Sequence, residues 1–250
     1  MKFAANLSVL WPDLPYLDRF DAAAEAGFEG AEVMFPYEMP AKDTQRALMR
    51  AGLSMVRIAA PPPNYTGGAR GFAAVPEAAE RFRYDLRRAI RYSGALRAPI
   101  LQLLAGAAEG DAARQTLVGN LKIAADQAPE GLLITICPVS ADDLPGSFLN
   151  NYDLAADILA EVAAPNLALL FDNRQAELLH GDPIAVLETH AKLVGHVQIS
   201  DTPGGSPDLE ALGTGLADIV HKGWVSVAYD ASQPPEIHRE TYQKLRKLWA

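Results

Sequence analysis

The sequence has one cysteine, no long apolar run and no concentration of basic residues. Its single cysteine, Cys137, excludes an internal disulfide framework and any zinc site built from several cysteines. No stretch approaches the roughly 20 apolar residues that a transmembrane helix needs, and Pro12 comes too early for a signal peptide. The formal net charge is -9, with Lys and Arg spread along the chain, whereas nucleic-acid binding needs concentrated positive charge. These absences predict a cytoplasmic protein with neither a nucleic-acid nor a membrane partner.

Recognisable histidine sites and cofactor motifs are also missing. No two of the five histidines have the spacing of metal ligands; they are His180, His190, His196, His221 and His238. The first predicted strand is not followed by the Gly-rich turn of dinucleotide-binding sheets. We therefore expect no nucleotide or organic cofactor.

What the sequence does have is a regular alternation of short apolar runs and longer amphipathic stretches. Eight such units fit within 250 residues. Near-continuous apolar strands are typical of a parallel sheet buried on both faces. The pattern predicts an α/β protein with one (β/α)8 TIM barrel spanning residues 1–250 as a single domain. A doubly wound open sheet is the alternative. The predicted strands are "KFAANLSVL", "GAEVMFPY", "LSMVRIAAPPP", "PILQLLAGA", "GLLITICPV", "NLALLFDN", "GHVQISD" and "WVSVAYD".

The carboxyl ends of the strands form the functional face of such a barrel, and several polar residues fall there. They are Asn6, Glu32, Arg57, Gln102, Cys137, Asp172, Gln198 and Asp230. Arg57 lies inside an apolar strand, where a charge needs a partner, and Glu32 lies on the neighbouring strand. We expect these two to form an ion pair inside the barrel. The alternative is that the strand is misassigned and Arg57 faces solvent.

Asp172 and Gln198 each allow two interpretations. An aspartate directly after an apolar strand either caps the next segment or points into the barrel mouth as a ligand. A glutamine inside a short buried strand needs hydrogen-bond partners, since leaving its amide unpaired costs roughly 1–3 kcal/mol. Gln198 is therefore either a satisfied core amide or a functional one.

Stretches along nearly the whole chain resemble, in order, the hydroxypyruvate isomerase family of xylose isomerase-like and endonuclease IV-like TIM barrels. They include "FAANLSVLW", "AGFEGAEVMFPYEMPA", "DLPGSFLNN", "PNLALLFDNRQAELLHGD", "GHVQISDTPG" and "GWVSVAYD". The resemblance implies the interconversion of hydroxypyruvate and tartronate semialdehyde through an enediol. It also implies a divalent metal, for which we consider Mg²⁺, Mn²⁺ and Zn²⁺, held by two proton-transferring glutamates, an aspartate and a glutamine.

Carrying these residues over gives an incomplete metal site. Asp172 and Gln198 match the family's aspartate and glutamine, but Cys137 and Ala228 stand where the two glutamates are expected. Gln175 replaces a family histidine. Cys137 is an inert small side chain, a ligand or base, or a nucleophile. Proton transfer rewired onto Cys137, Asp172 or Asp230 would keep the isomerase activity.

Three functional hypotheses follow. The first is an isomerase of a small hydroxy-keto acid or sugar. The second is a non-catalytic relative that binds a small anionic ligand or a protein partner at the barrel mouth, and the third is a nucleic-acid repair enzyme, which the absence of a His- and carboxylate-rich metal cluster disfavours. Arginine matches carboxylate geometry, so Arg57, Arg70 and Arg174 favour an anion. The residues expected to contact substrate are Asn6, Glu32, Arg57, Arg70 and Gln175. A homo-oligomer is one expectation for the assembly.

Overall fold

The computed structural model describes residues 1–60, 70–202, 205, 207–219, 221, 223–229 and 235–249, with residues 235–238 described by their backbone only. The strands are β1 (Lys2–Asn6), β2 (Gly30–Val33), β3 (Ser54–Ala59), β4 (Ile100–Leu103), β5 (Leu133–Ile136), β6 (Leu167–Asp172), β7 (Val194–Ser200) and β8 (Trp224–Ala228). The α-helices are α1 (Arg19–Ala26), α2 (Ala41–Ala51), α3 (Ala79–Leu96), α4 (Gly110–Gln127), α5 (Tyr152–Val162), α6 (Asn173–His180), α7 (Pro183–Thr189), α8 (Leu209–Asp218) and α9 (Pro235–Trp249).

The eight strands form one closed parallel barrel in sequence order, with β8 pairing back onto β1. Strands that are buried on both faces read as apolar runs, which is why their order and type were predictable. The (β/α)8 barrel prediction is confirmed, and the open-sheet alternative is wrong. Helix α9 packs against β1, where Phe3 contacts the rings of Tyr242 and Trp249. No helix within the described ranges is both long and apolar enough to cross a bilayer.

One helix was not predicted. From the sequence we assigned no helix directly after the sixth strand, but α6 begins immediately after Asp172. The Asp172 carboxylate accepts hydrogen bonds from the backbone N–H groups of Arg174 and Gln175, so it caps the helix. Asp172 also lines the cavity at the mouth of the barrel, so the two roles posed as alternatives for it occur together.

Two register shifts adjust how the strands pair below the mouth of the barrel. On β3, Val56 is skipped, so Ala31 pairs with Met55 while Glu32 pairs with Arg57. On β7, Gly195 is skipped, so Leu170 pairs with His196. Such bulges re-aim the side chains that follow them. They bring Glu32 level with Arg57 and Asp172 level with Gln198.

Main-chain atoms of the segment around Gly71 are in direct contact with those of the segment that follows β4. Gly71 and Gly106 both have positive φ, at 93° and 87°. A Cβ on Gly106 would overlap the Gly71 carbonyl, and one on Gly71 would overlap the Leu104 backbone. The two segments are also joined by the hydrogen bond from Ala73 N to Leu104 O, 3.1 Å long. Neither glycine can be replaced without strain in the backbone.

Candidate active site

A cavity of about 430 Å³ opens at the carboxyl ends of the strands. It collects most of the residues predicted from the sequence, namely Arg57, Arg70, Cys137, Asp172, Gln175 and Gln198. Asn6 and Glu32 are buried and are not among its lining residues. Asp230 lies outside the described residues. The structure also adds Asp142, Asp143 and Gln102 to the lining, of which the two aspartates had not been singled out.

The expected Glu32–Arg57 ion pair is present beneath the cavity. Arg57 Nη2 donates to Glu32 Oε2 at 2.7 Å, and the two side chains are only 3% and 0% exposed. The alternative that Arg57 faces solvent is wrong. Burial favours the neutral form of Glu32, but the charges of Arg57 and His196 outweigh it and hold the pKa of Glu32 well below its ordinary value. The pair is therefore charged on both sides at neutral pH.

Two further residues complete the lower side of this pair. His196 Nε2 lies 2.5 Å from Glu32 Oε1 and 3.0 Å from Ser226 Oγ. The Ser226 hydroxyl also donates to Glu32 Oε1. We call Glu32, Arg57, His196 and Ser226 the inner network. All four are buried, and of the four only Arg57 lines the cavity, so the other three support it from below.

The upper side of Arg57 faces amide groups. Its Nη1 donates to Gln102 Oε1, and its Nη2 donates to Gln198 Oε1 at 2.7 Å. Asn6 Nδ2 also donates to Gln198 Oε1, at 3.3 Å. A guanidinium has five N–H donors, and the buried Nε has no partner in the described part of the chain. Arg57 is thus fixed in direction while keeping hydrogen-bonding capacity unused.

Gln198 connects Arg57 to Asp172. Its Nε2 donates to Asp172 Oδ2 at 2.6 Å, while its oxygen accepts from Arg57. Asp172 Oδ1 is occupied by the cap of α6. Burial raises the pKa of Asp172, although these hydrogen bonds and the charge of Arg57 oppose the shift. One amide therefore holds a fixed cation and a carboxyl group with elevated proton affinity at the same cavity wall.

A second group of charges lies at the rim. Arg174 donates to Asp143 at 3.1 Å, and both side chains are 32% exposed. Gln175 Nε2 donates to Asp143 Oδ2 at 2.5 Å, and Gln175 Oε1 accepts from Ser140 N. We call Ser140, Asp143, Arg174 and Gln175 the rim cluster. It ties the loop after β5 to the start of α6.

Cys137 lines the cavity as a protonated thiol. It follows β5 directly, is buried, and donates to the carbonyl of Pro138 at 3.3 Å. Burial, with the nearby Asp172 charge, raises the pKa of the thiol well above its ordinary value. A thiol is neither a good metal ligand nor a good nucleophile until it is deprotonated. These surroundings favour the interpretation of Cys137 as an inert small side chain.

The donors present do not fit the divalent metal that the family resemblance implies. Within the described ranges, His, Cys, Asp and Glu form no group of three or more that could hold an ion. Both oxygens of Asp172 accept hydrogen bonds, and Gln198 Oε1 already accepts from a guanidinium. The side chain of Ala228, at the end of β8, has no atom that could bind a metal. Hard cations need several free oxygen ligands.

Sequence comparisons agree with this architecture. The model of the xylose isomerase-like TIM barrel family matches residues 20–248. The chain is 34% identical to a 2-oxo-tetronate isomerase of Cupriavidus necator, over 91% of this chain and 92% of that protein. It is 30% identical to the hydroxypyruvate isomerase of Escherichia coli, over 92% and 93%.

A solved structure shows the same similarity in three dimensions. A Brucella melitensis protein described as an AP endonuclease of family 2 superposes with a TM-score of 0.92 at 31% identity, covering 97% of this chain and 98% of that one. Matches of this extent, both in sequence and in structure, establish membership. This chain belongs to the xylose isomerase-like TIM barrel family, and its similarity to the hydroxypyruvate isomerases is confirmed.

Proposed function

We propose that this chain isomerises a small hydroxy-keto acid, with hydroxypyruvate and 2-oxo-tetronate as the first substrates to test. The observation that carries the proposal is the Arg57–Gln198–Asp172 chain of hydrogen bonds, in which a fixed cation and a carboxyl group share one wall of a 430 Å³ cavity. The named activities of the similar proteins supply the substrate class. Acidic substrates fit this wall because arginine pairs with carboxylates.

The reaction moves hydrogen without changing the substrate's composition. A base removes the proton from the carbon that bears the hydroxyl group, next to the carbonyl, and the electron pair passes to the carbonyl oxygen to give an enediolate. The hydroxyl proton of the first carbon passes to this oxygen, a proton is returned to the former carbonyl carbon, and the first carbon becomes the new carbonyl. Asp172 is the proposed proton carrier, since it lines the cavity and has a raised pKa. Arg57 is proposed to bind the negative oxygen.

The test is hydrogen exchange in D2O followed by NMR. Each substrate is incubated with the protein, and deuterium at the exchanging carbon is measured against buffer alone. We expect saturable exchange in wild type and a loss of about 100-fold or more in Asp172→Asn, within the range that acid–base groups contribute. No exchange above buffer from folded protein would remove the proposal.

Asp182→Asn is the matched control for this variant. Asp182 caps α7 as Asp172 caps α6, but it is exposed and is not among the residues that line the cavity. Asparagine also caps helices, so both variants keep their caps. Equal loss of exchange in the two would assign the effect to helix stability and not to proton transfer.

A second candidate is ligand binding without catalysis. It is favoured by Cys137 and Ala228, because a protonated thiol and a methyl group stand where the family resemblance places proton-transferring glutamates. Saturable binding of hydroxypyruvate without deuterium incorporation would support it. A cytoplasmic location and a homo-oligomeric assembly stay predictions from the sequence.

A further inference from the structure

We propose that the Arg57 guanidinium takes the place of the divalent cation in this barrel, so that the cavity binds small carboxylates without a metal ion. This inference deepens the proposed function and rests on it for the choice of ligand class. It starts from the mismatch between the family's metal chemistry and the donors of this chain. Two separate observations, on the donors and on Arg57, support it.

The first observation is that the retained oxygen donors are already used. Gln198 Oε1 accepts from Arg57 Nη2 at 2.7 Å and from Asn6 at 3.3 Å. Asp172 Oδ2 accepts from Gln198 at 2.6 Å, and Oδ1 holds the cap of α6. A metal at these atoms would have to displace hydrogen bonds made to a charged group. It would also stand beside the positive charge of Arg57 in a buried setting, where repulsion is weakly screened.

The second observation is that Arg57 is held as a positioned cation. Its side chain is 3% exposed and lines the cavity. The contact with Glu32 holds it from below, and the contacts with Gln102 and Gln198 hold it from the side. Its Nε is buried and has no hydrogen-bond partner among the residues that the structure describes. Buried donors are rarely left unpaired, so this atom calls for an acceptor that a bound ligand would bring.

The chemistry of a guanidinium defines the ligand. It is always charged and donates directional hydrogen bonds to planar oxygen groups. A carboxylate matches these properties, and so does the enediolate oxygen that the proposed reaction creates. Glu32 keeps the guanidinium oriented before the ligand arrives, so little ordering is required on binding. Glu32 is therefore a positioning residue, and Arg57 is the group that meets the ligand.

The experiment titrates tartronate, a small hydroxy-dicarboxylate, into the full chain after dialysis against EDTA. Binding is followed by calorimetry, with and without added Mg²⁺ or Mn²⁺. We expect binding in the metal-free protein, and a change of less than about twofold in Kd on adding either metal, because a fixed guanidinium needs no further cation. In parallel, Mn²⁺ added to the protein should keep the electron paramagnetic resonance spectrum of the free ion.

Variants of Arg57 test separately the planar donor group and the positive charge. Arg57→Lys keeps the charge but loses the planar donors, and should weaken tartronate binding by about tenfold or more. The double variant Glu32→Gln/Arg57→Met removes both buried charges together, which protects the fold, and should show no binding. Arg83→Lys, on the exposed side of α3, is the matched control and should bind as wild type. Circular dichroism establishes that each variant is folded.

Each outcome decides the inference. Tartronate binding that requires Mg²⁺ or Mn²⁺, or binding that is unchanged in Arg57→Lys, would overturn it, as would no binding under any condition. Metal-free binding that depends on Arg57 would support it, even if hydrogen exchange is absent and the proposed function fails. Exchange that appears only with metal would sink this inference while leaving the proposed isomerase activity in place.

Discussion

The Glu32–Arg57 and Asp143–Arg174 ion pairs have similar lengths but very different surroundings. The nitrogen–oxygen distances are 2.7 Å and 3.1 Å. The first pair is almost completely buried in the inner network, and the second is about one-third exposed in the rim cluster. Burial removes the competing water and the screening ions, so loss of one partner is severe inside and mild at the rim. The nitrogen–oxygen distance alone therefore says little about how much an ion pair contributes to stability.

The largest expected effect comes from breaking the buried pair. Arg57→Met leaves the Glu32 carboxylate charged without its guanidinium, and should lower the free energy of unfolding by about 3–5 kcal/mol. The double variant Glu32→Gln/Arg57→Met should recover much of this loss, since no unpaired charge stays buried. Urea unfolding of wild type, both single variants and the double variant measures the coupling. Additive losses would contradict the comparison.

The stability that each of the two ion pairs contributes should also be lost to a different extent in acid. The pKa of Glu32 lies well below its ordinary value, because Arg57 and His196 outweigh the effect of burial. A lowered folded-state pKa gives stability that is present above the unfolded value, near 4.3, and lost as the pH falls below it. The double variant Glu32→Gln/Arg57→Met should therefore lose less stability than wild type in acid.

Asp143 gives the comparison for that measurement. Burial opposes its ionisation, but hydrogen bonds from Arg174 and Gln175 lower its pKa overall. The stability that Asp143 contributes therefore depends on pH with the same sign as that of Glu32. Exposure to solvent makes this contribution smaller. Asp143→Asn should flatten the acid limb of the stability profile less than the double variant does. Equal flattening in urea unfolding across the acid range would show that burial does not set the difference.

A smaller effect is expected from the rim pair itself. Arg174→Ala removes a partly exposed ion pair and should change the free energy of unfolding by less than about 1 kcal/mol. Added salt should reduce even this difference, because exposed charges are screened. The check is urea unfolding at low and high salt. A loss comparable with that of Arg57→Met would break the distinction between the two regions.

The smallest effect is expected at Cys137, which belongs to neither region. Its raised pKa leaves almost no thiolate, so Cys137→Ser should keep hydrogen exchange to within about threefold of wild type. Alkylation by iodoacetamide should be slow in the folded protein and fast in urea. Rapid alkylation of folded protein, or loss of exchange in the variant, would give the thiol a chemical role.

Much of the fold was predictable because buried strands and their order leave a strong pattern in the sequence. The Glu32–Arg57 pair was predictable for a related reason, since a charge inside an apolar strand requires a partner. His196 was discounted, although it lies two residues before Gln198 and so points to the same side of β7. The alternation of side chains along a strand was therefore the sequence signal that could have placed His196 inside the barrel.

The rim cluster left no comparable signal. Asp143 belongs to the loop after β5, and loop conformation follows from contacts that the sequence pattern does not encode. Its meeting with Arg174 depends on where α6 begins, and α6 itself was not predicted. The two roles of Asp172 could not be predicted from the sequence for the same reason. One of its oxygens caps α6, and the other accepts a hydrogen bond from Gln198.

The contact between Gly71 and Gly106 bears on how this barrel could be re-engineered. Gly106 and Arg70 line the cavity, and behind them the wall is made of main chain in direct contact. Side-chain libraries at these glycines would mostly yield misfolded protein and could not enlarge the cavity there. Larger ligands would have to be accommodated at other lining residues, such as Val139, Leu144 and Gln175.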